Sequence, residues 1–424
     1  MNPGVAFGEN IKTDKIRRRS YSGSSSFRVK KFLLLLLLAI TIIIFFFRLV
    51  YLQIFQGTYY RKLSDSNRIR TQVIYAPRGI ILDRNGAPLV LNIPGFREIL
   101  NNPKNNTPPK AILLDKEQAL KLMAKGETNI AIDSIREYPF KEILAHVLGY
   151  IGQITKDQLQ EKQFANYTPN DLVGKTGIEQ EYENLLRGQN GQKLIEVDSS
   201  GREVRSLGQS DPIAGHDITL TLDIKLQQAA YSAGEKINKG AIIVSRPNGE
   251  ILAMLSKPTY DPNLFTQNTT YHTSTNAAYM DIDSILSDSQ NQPLLNRAIG
   301  GTYPPGSTFK LIVAGAGLED RVIDENYHIT DTGILKIGDF SFANWYYTDY
   351  GLTEKGDVNV VRAIARSNDI FFYKIAALIG VDKLSSMAEK FGLGKPLGID
   401  LPGEAAGIVP TRTWKNRCWN DTNC

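Results

Sequence analysis

The feature that most constrains this chain is an uninterrupted apolar run, FLLLLLLAITIIIFFF, at positions 32–47. A bilayer core needs about 20 helical residues, and the apolar residues up to Phe55 complete that length because Arg48 can snorkel to the interface. A cleaved signal peptide is the alternative, but its apolar region ends in small residues. Because this run ends in three phenylalanines and an arginine, we expect an uncleaved transmembrane anchor over residues 32–55.

Positive charge is concentrated just before the apolar run. Residues 1–31 carry eight basic side chains against two acidic ones, whereas the whole chain of 424 residues has a net charge of +5. The positive-inside rule therefore predicts a cytoplasmic basic arm that lies against the lipid bilayer, with the bulk of the chain outside the plasma (inner) membrane. The near-neutral remainder argues against nucleic acid as a partner.

Composition also argues against several kinds of site. The two cysteines, Cys418 and Cys424, and four scattered histidines provide no cluster for a metal centre. Gly174-Lys175-Thr176 imitates part of a phosphate-binding loop, but the position that must hold the first glycine of that motif is Pro169. We expect neither a metal nor a nucleotide in this chain.

Turn signals and periodicity outline the body after the anchor. Asn85-Gly86 predicts a hairpin turn, and residues 170–188 predict a turn followed by a helix. Residues 223–237 are predicted to be helical, and Pro247-Asn248-Gly249 between two apolar runs predicts a second hairpin. The long polar stretch 261–292 is expected to be irregular with short helices.

The stretch TYPPGSTFKLIVAGAGLED at 302–320 carries the clearest chemical signal. Ser307 begins an apolar helical run, so Ser307 and Lys310 share one face a turn apart. A lysine can activate a serine only if its pKa falls from about 10.4 to near 7, which corresponds to about 4 kcal/mol. On this pattern alone, a serine N-cap beside a solvated lysine is the commoner arrangement.

A second candidate is Ser367-Asn368-Asp369, which also precedes an apolar helical run. Its serine and its acid could lie beside a serine–lysine pair and relay protons. The alternative is another helix N-cap, because both residue types are favoured there. Local sequence leaves the two interpretations open.

Seven short motifs follow one another along the chain: Ala76-Pro77-Arg78-Gly79, Asp83-Arg84-Asn85-Gly86, Tyr138-Pro139-Phe140, Ala145–Tyr150, Val173–Tyr182, Asp223–Gln227 and Tyr303–Lys310. Taken in this order, they resemble class B penicillin-binding proteins, the monofunctional peptidoglycan D,D-transpeptidases. Asn67–Arg70 and the acid Asp369 are most similar to elongation-type members, with division-type members as the second choice.

The resemblance implies an α+β fold. A single N-terminal transmembrane helix is followed by an elongated, mixed α/β pedestal domain and by an incomplete transpeptidase domain with an antiparallel sheet between helices. The implied boundaries are 1–31 for the arm, 32–55 for the anchor, 56–215 for the pedestal with a short head, and 216–424 for the transpeptidase domain.

The resemblance also implies a reaction that needs no cofactor. Ser307 attacks the D-Ala-D-Ala carbonyl of a peptidoglycan stem peptide, and a neighbouring stem amine resolves the acyl-enzyme. Lys310 is the general base, Ser367 and Asp369 complete the proton relay, and the Ser307 backbone N–H forms half of the oxyanion hole. The implied partners are the stem peptide, β-lactams, which acylate the same serine, and a SEDS-type glycosyltransferase in the membrane.

Several positions depart from the family pattern. The third motif, a Lys-Thr-Gly late in the domain, is absent after Ser307, so we expect a truncated or frame-shifted product. Some elongation-type relatives bind a metal through a cysteine where this chain has Asn368 and a histidine near Tyr350, so no metal is expected here. The competing functions are a catalytically inactive scaffold or β-lactam sensor, and a class D β-lactamase-like hydrolase.

Overall fold

The structure is a computed structural model, and it describes residues 25–100, 110–127, 130–198, 203–267, 271–275, 277–353 and 356–420. Most of the predicted cytoplasmic arm and Cys424 lie outside these residues. The described chain forms two compact units, Met1–Thr71 with Leu194–Leu207, and Gln72–Lys193 with Gly208–Cys424, each taken at its described residues.

The first unit contains the apolar helix predicted from the sequence. The most apolar 18-residue window within Lys30–Phe55 has a mean hydropathy of 3.0 and is not buried, so length and composition permit this helix to cross a membrane. The helix ends in a π-helical turn, Tyr51–Phe55.

The elements of the described chain are numbered here in chain order. The α-helices are α1 Ser25–Val50, α2 Gly57–Arg68, α3 Lys116–Ala124, α4 Ala145–Leu148, α5 Gly177–Glu181, α6 Glu183–Leu186, α7 Ile224–Ala233, α8 Asn263–Thr266, α9 Ile282–Ser287, α10 Lys310–Glu319, α11 Trp345–Tyr350, α12 Val360–Ala365, α13 Asp369–Ile379, α14 Val381–Lys390 and α15 Arg412–Asn420. The strands are β1 Ile69–Ile74, β2 Ile81–Leu82, β3 Pro88–Leu100, β4 Lys110–Leu114, β5 Ile130–Glu137, β6 Ile151–Gln153, β7 Leu172–Gly174, β8 Gly191–Val197, β9 Glu203–Ser210, β10 Ile218–Thr219, β11 Gly240–Ser245, β12 Ile251–Lys257, β13 Ile329–Thr330, β14 Ile334–Ile337, β15 Phe340–Ala343 and β16 Asp357–Val358.

The long strand β3 organises the pedestal sheet. It pairs antiparallel with β2, β4 and β5, and β10 joins the edge in parallel with β2. The predicted hairpin turn between β2 and β3 is confirmed. The Asp83 carboxylate accepts from the Asn85 and Ala87 backbone N–H groups at 2.8 Å, and Gly86 adopts the positive φ of +83° that this tight turn requires.

A buried charge network ties together three motifs of the pedestal. Glu179 accepts from Arg136 Nε at 2.7 Å and from Arg78 Nε at 2.8 Å, while Arg78 also pairs with Glu183. Burial raises the pKa of Glu179, but the charges of Arg136 and Arg78 lower it by more than burial raises it. The pKa of Glu179 therefore lies below the ordinary value of a glutamate. Two arginines therefore share two carboxylates in a region that water does not reach.

One hydrophobic core serves both the pedestal and the segment that leads to Ser307. Two polar contacts cross the same region: His146 Nε2 lies 2.7 Å from the Pro293 carbonyl oxygen, and the Tyr182 hydroxyl donates to Asp400 at 2.7 Å. Burial lowers the pKa of His146 to about 4, so it is neutral at physiological pH. The buried members of this core include Ile81, Leu89, Tyr138, Val147, Leu148, Ile178, Leu186, Leu222, Met254, Ile299 and Leu401.

A second core holds the helices that carry the candidate site. Helix α10 packs against α13 and α14, and Gly317 leaves room for the segment that follows α10, because a Cβ added there would lie 3.1 Å from the Ile323 side chain. This packing places the start of α10 beside the start of α13. Buried side chains of this core include Ile312, Val313, Ala316, Val360, Ala363, Ile370, Phe371, Phe372, Ile375, Met387 and Ala388.

Several predicted elements are confirmed, and two are shorter than predicted. The β11–β12 hairpin and the short helices in 261–292 are present, and α7 packs against β12. The single helix predicted up to Gly188 was wrong, because the chain turns at Tyr182 between α5 and α6. The helix predicted over 223–237 ends at Ala233, before Gly234.

Candidate active site

Ser307 lies in a 3₁₀ turn, Gly306–Phe309, that leads directly into α10. Pro304 and Pro305 precede the turn, and Gly306 enters it at a φ of +57°. The Ser307 side chain is exposed. Because residues i and i+3 eclipse each other in a 3₁₀ turn, Ser307 and Lys310 face the same way, as the spacing predicted.

Lys310 is the first residue of α10, and its side chain is 14% exposed. Its Nζ donates to the Ser367 carbonyl oxygen at 2.7 Å, to Ser367 Oγ at 3.0 Å and to Asp369 Oδ1 at 2.5 Å. An ammonium group has three hydrogens to donate, so all three find acceptors.

Ser367 connects Lys310 to Ser307. Its hydroxyl accepts from Lys310 and donates to Ser307 Oγ at 2.9 Å. The Lys310 backbone N–H donates to the Ser307 carbonyl oxygen, but no described hydrogen bond joins their two side chains directly, so Lys310 Nζ reaches the Ser307 hydroxyl through Ser367 Oγ. The Ser367 backbone has a φ of +50°, in the left-handed region that side chains rarely adopt.

Asp369 begins α13 and links the second motif to α11. Its Oδ1 binds Lys310, and its Oδ2 accepts from the Trp345 backbone N–H at 3.0 Å. A carboxylate is favoured at a helix N-terminus by the helix dipole. Burial, and next the Asp369 charge, raise the pKa of Tyr373 on the same helix.

The structure thus brings together the four residues singled out in the sequence: Ser307, Lys310, Ser367 and Asp369. Their catalytic roles stay a prediction. The segment also supplies the helix N-cap that was its alternative interpretation, because the cap of α13 is Asn368, whose side chain accepts from the Phe371 backbone N–H at 2.9 Å.

Three residues behind this group were not found by sequence reasoning. Asp331, Asn344 and Trp345 contact the second motif from β13–β14 and α11. They are far from it along the chain, and an Asp-Thr-Gly or Asn-Trp pair carries no chemical signature of its own. Only the fold identifies them.

The segment Lys175-Thr176-Gly177 is separate from this site. It forms the turn between β7 and α5, where Lys175 Nζ donates to Gln158 Oε1 at 2.6 Å. It therefore serves the pedestal. Within the described ranges, no group of three or more His, Cys, Asp or Glu side chains is arranged to hold a metal ion.

Comparisons with known proteins agree with this geometry. Residues 240–423 match the penicillin-binding protein transpeptidase domain, and residues 117–220 match the penicillin-binding protein dimerisation domain. Peptidoglycan D,D-transpeptidase MrdA of Escherichia coli K12 is 35% identical over 445 residues, which cover 94% of this chain and 68% of that protein. The chain belongs to the MrdA family of penicillin-binding proteins. The predicted resemblance to class B, elongation-type members is confirmed.

Other members of the MrdA family give the same picture. MrdA of Acinetobacter baumannii is 36% identical, and the alignment covers 87% of this chain and 59% of that protein. This chain therefore spans about three fifths of the length of that relative. Penicillin-binding protein 2 of Helicobacter pylori, solved in complex with MreC, has a TM-score of 0.68 and 28% identity, and the match covers 83% of this chain and 70% of that one.

A chain of a peptidoglycan synthase complex that coordinates polymerization and crosslinking is similarly close. Its TM-score is 0.62 and its sequence identity is 28%, and the match covers 92% of this chain and 72% of the neighbour's chain. The α+β architecture expected from the sequence, with one N-terminal apolar helix, is confirmed by the structure and by these matches.

Proposed function

We propose that this chain carries the acylation site of a peptidoglycan D,D-transpeptidase that acts in cell-wall elongation. The observation that carries the proposal is the continuous hydrogen-bonded chain from Asp369 through Lys310 and Ser367 to Ser307. Membership of the MrdA family supports the substrate, a stem peptide that ends in D-Ala-D-Ala, and β-lactams as its mimics.

The proposed reaction begins at Ser307 Oγ. It attacks the carbonyl carbon of the penultimate D-Ala, a C–O bond forms, and the C–N bond to the terminal D-Ala breaks. The Ser307 proton passes to Ser367 Oγ while the Ser367 proton passes to Lys310, and the departing D-Ala amine takes up a proton from the same relay. An amine on a neighbouring stem then attacks the ester and restores Ser307.

This relay requires Lys310 to become a neutral amine first. In the resting arrangement the ammonium donates to Ser367 Oγ, and Ser367 donates to Ser307. Loss of one proton allows both hydrogen bonds to reverse: Ser367 then donates to Lys310, and Ser307 donates to Ser367. The geometry supports a base that acts through the Ser367 hydroxyl rather than by direct contact.

The setting proposed for this reaction is the outer face of the plasma (inner) membrane. The apolar helix α1 would be a single-pass anchor with the basic residues 1–31 in the cytoplasm. We propose the domain boundaries 32–55 for the anchor, 56–215 for the pedestal and 216–424 for the catalytic part. A SEDS-type glycosyltransferase in the membrane and an MreC-like protein are the proposed partners, supported by the complexes of the structural neighbours.

The test is covalent labelling of the full chain, purified in detergent micelles, with benzylpenicillin. Intact-protein mass spectrometry should detect one long-lived penicilloyl adduct on the wild type and none on Ser307→Ala. Ser341→Ala removes an exposed serine from β15 and should label like the wild type.

The two other functions give different outcomes in the same experiment. A folded wild-type chain that forms no adduct would overturn the proposal in favour of an inactive scaffold. Rapid consumption of penicillin without a lasting adduct would instead indicate a β-lactamase-like hydrolase.

A further inference from the structure

We propose that Asp331 is a positioning residue, which holds the Ser367-Asn368-Asp369 segment in the geometry that the proton relay needs. This inference rests on the proposed function. Asp331 does not hydrogen-bond Ser307 or Lys310 in the described contacts. It acts through two asparagines that lie on either side of the reactive groups.

The Asp331 carboxylate is the centre of a buried polar cluster. It is 4% exposed and lies between β13 and β14. Its Oδ1 accepts from the Gly333 backbone N–H at 2.7 Å, and its Oδ2 accepts from Asn344 Nδ2 and Asn368 Nδ2, both at 2.9 Å. Hydrogen bonds to a charged acceptor are stronger than those between neutral groups, and a buried polar group left unpaired costs free energy. Any rearrangement of this cluster that breaks one of these bonds is therefore unfavourable.

Asn368 transmits this restraint to the relay. It is 1% exposed, and its side chain is held at both ends, by Asp331 at Nδ2 and by the Phe371 backbone N–H at Oδ1. Its neighbours in sequence are Ser367, which bridges the nucleophile to the lysine, and Asp369, which pairs with the lysine. A rotation of the Asn368 side chain would therefore move both partners of Lys310.

Asn344 transmits the restraint from the other side. Its backbone N–H donates to the Gly333 carbonyl at 2.8 Å, and its Oδ1 accepts from the Asp369 backbone N–H at 3.4 Å. The next residue, Trp345, donates its backbone N–H to Asp369 Oδ2 and its indole N–H to the Arg366 carbonyl, at 3.0 and 3.1 Å. The asparagine and the tryptophan thus contact the chain just before and just after Ser367.

The restraint is needed because Ser367 is held in an unfavourable conformation. A non-glycine residue in the left-handed region costs about 1–3 kcal/mol and persists only where its surroundings fix it. The Ser367 backbone at a φ of +50° directs both its carbonyl and its hydroxyl at Lys310. Without Asp331, this segment is expected to relax, and the relay would lose its alignment.

The decisive variant is Asp331→Asn in the full chain in detergent micelles. The substitution replaces one carboxylate oxygen by an NH2 group, which cannot accept a hydrogen bond. Because the Gly333 N–H and the Asn344 and Asn368 amides all donate to this carboxylate, at least one of the three hydrogen bonds must break. We expect the first-order rate constant of acylation by benzylpenicillin to fall about 10–100-fold, because a displacement of about 1 Å can cost that much. The dissociation constant of the preceding non-covalent complex should stay within about threefold, which a general loss of structure would not allow.

A rescue variant and a matched control sharpen the test. In Asp331→Asn/Asn368→Asp the donor and acceptor of the hydrogen bond between residues 331 and 368 exchange places, so this bond is restored while the Asn344 amide still faces a donor, and aspartate is as good an N-cap as asparagine. This double variant should recover about tenfold in the acylation rate. Asp349→Asn removes an exposed carboxylate from the neighbouring helix α11 and should acylate like the wild type. Equal rates for Asp331→Asn and the wild type would overturn the inference, and so would failure of the double variant to exceed the single one.

Hydrogen exchange separates this inference from the proposed function. If the wild type forms no adduct, the proposed function fails, but the backbone N–H groups of Asn368 and Phe371 still report on the segment. They should exchange faster in Asp331→Asn than in the wild type or in Asp349→Asn. Unchanged exchange in Asp331→Asn would contradict the positioning role whatever the activity.

Discussion

At the scale of single residues, the Ser367 hydroxyl is the only described hydrogen-bonded link between the Lys310 and Ser307 side chains. Ser367→Ala keeps the backbone but removes the connection. We expect its acylation rate by benzylpenicillin to fall about 10²–10⁴-fold, the usual contribution of a proton-transfer group. Stopped-flow or quenched mass spectrometry measures this rate, and a loss of less than threefold would show that the lysine does not act through Ser367.

Ser367→Gly separates the hydroxyl from the backbone. It should be as inactive as Ser367→Ala, yet more stable, because glycine adopts a positive φ without the penalty of about 1–2 kcal/mol paid by other residues. Thermal denaturation of the two variants checks the order. An alanine variant that melts above the glycine variant would mean that Ser367 is not strained.

The residues of the site differ in how far the sequence could predict them. Ser307 and Lys310 lie three apart on one turn, so local spacing together with family motifs was enough. Ser367 and Asp369 followed from the second motif. Asp331 and Asn344 could not be predicted, because Asp331 meets Asn344 and Asn368 only through contacts made across the fold.

At the scale of elements, helix α13 supports the site from behind. Its first residue pairs with Lys310, and its Phe371 side chain is fully buried in the second core. Phe371→Ala should lower the free energy of unfolding by about 3–5 kcal/mol, the range for a phenylalanine lost from a core. Leu378→Ala on the same helix, where the side chain is 58% exposed, is the control and should change stability little.

Thermal denaturation of both variants tests this packing. Equal melting temperatures for Phe371→Ala and Leu378→Ala would contradict it. Because α13 begins at Asp369, the phenylalanine variant should also acylate more slowly at temperatures where it is still folded.

Elements were predictable where their signals are local. The Asn85-Gly86 turn and the β11–β12 hairpin need only their own residues, and both are present. The helix predicted up to Gly188 breaks at Tyr182, whose hydroxyl donates to Asp400, more than two hundred residues away in sequence. Tertiary context of this kind is not visible in a local pattern.

At the scale of the whole molecule, the Glu179 network determines how stability responds to pH. Glu179 has a depressed pKa in the folded protein, so its contribution to stability is complete above about 4.5, the ordinary pKa of a glutamate, and is lost as the pH falls through its lower folded value. Glu179→Gln removes the ionic partner of the buried Arg136 and leaves Arg78 paired with Glu183 alone, and it should cost about 3–5 kcal/mol at pH 7.

The difference in melting temperature between the wild type and Glu179→Gln should be constant from pH 8 to about pH 5 and shrink below that. Glu117→Gln, which breaks the exposed Lys121 pair, should change stability by less than about 1 kcal/mol at any pH. A Glu179→Gln difference that grows on acidification would show that the network is not ionised as described.

The core shared by the pedestal and the catalytic part makes the pedestal more than a spacer. Val147, Met254 and Leu401 lie in one cluster with Ile299, in the segment that leads to Ser307. Interiors packed at crystal density pass displacements on rather than absorbing them. A partner protein that binds the pedestal and shifts it is therefore expected to displace the segment before Ser307 without contacting that segment.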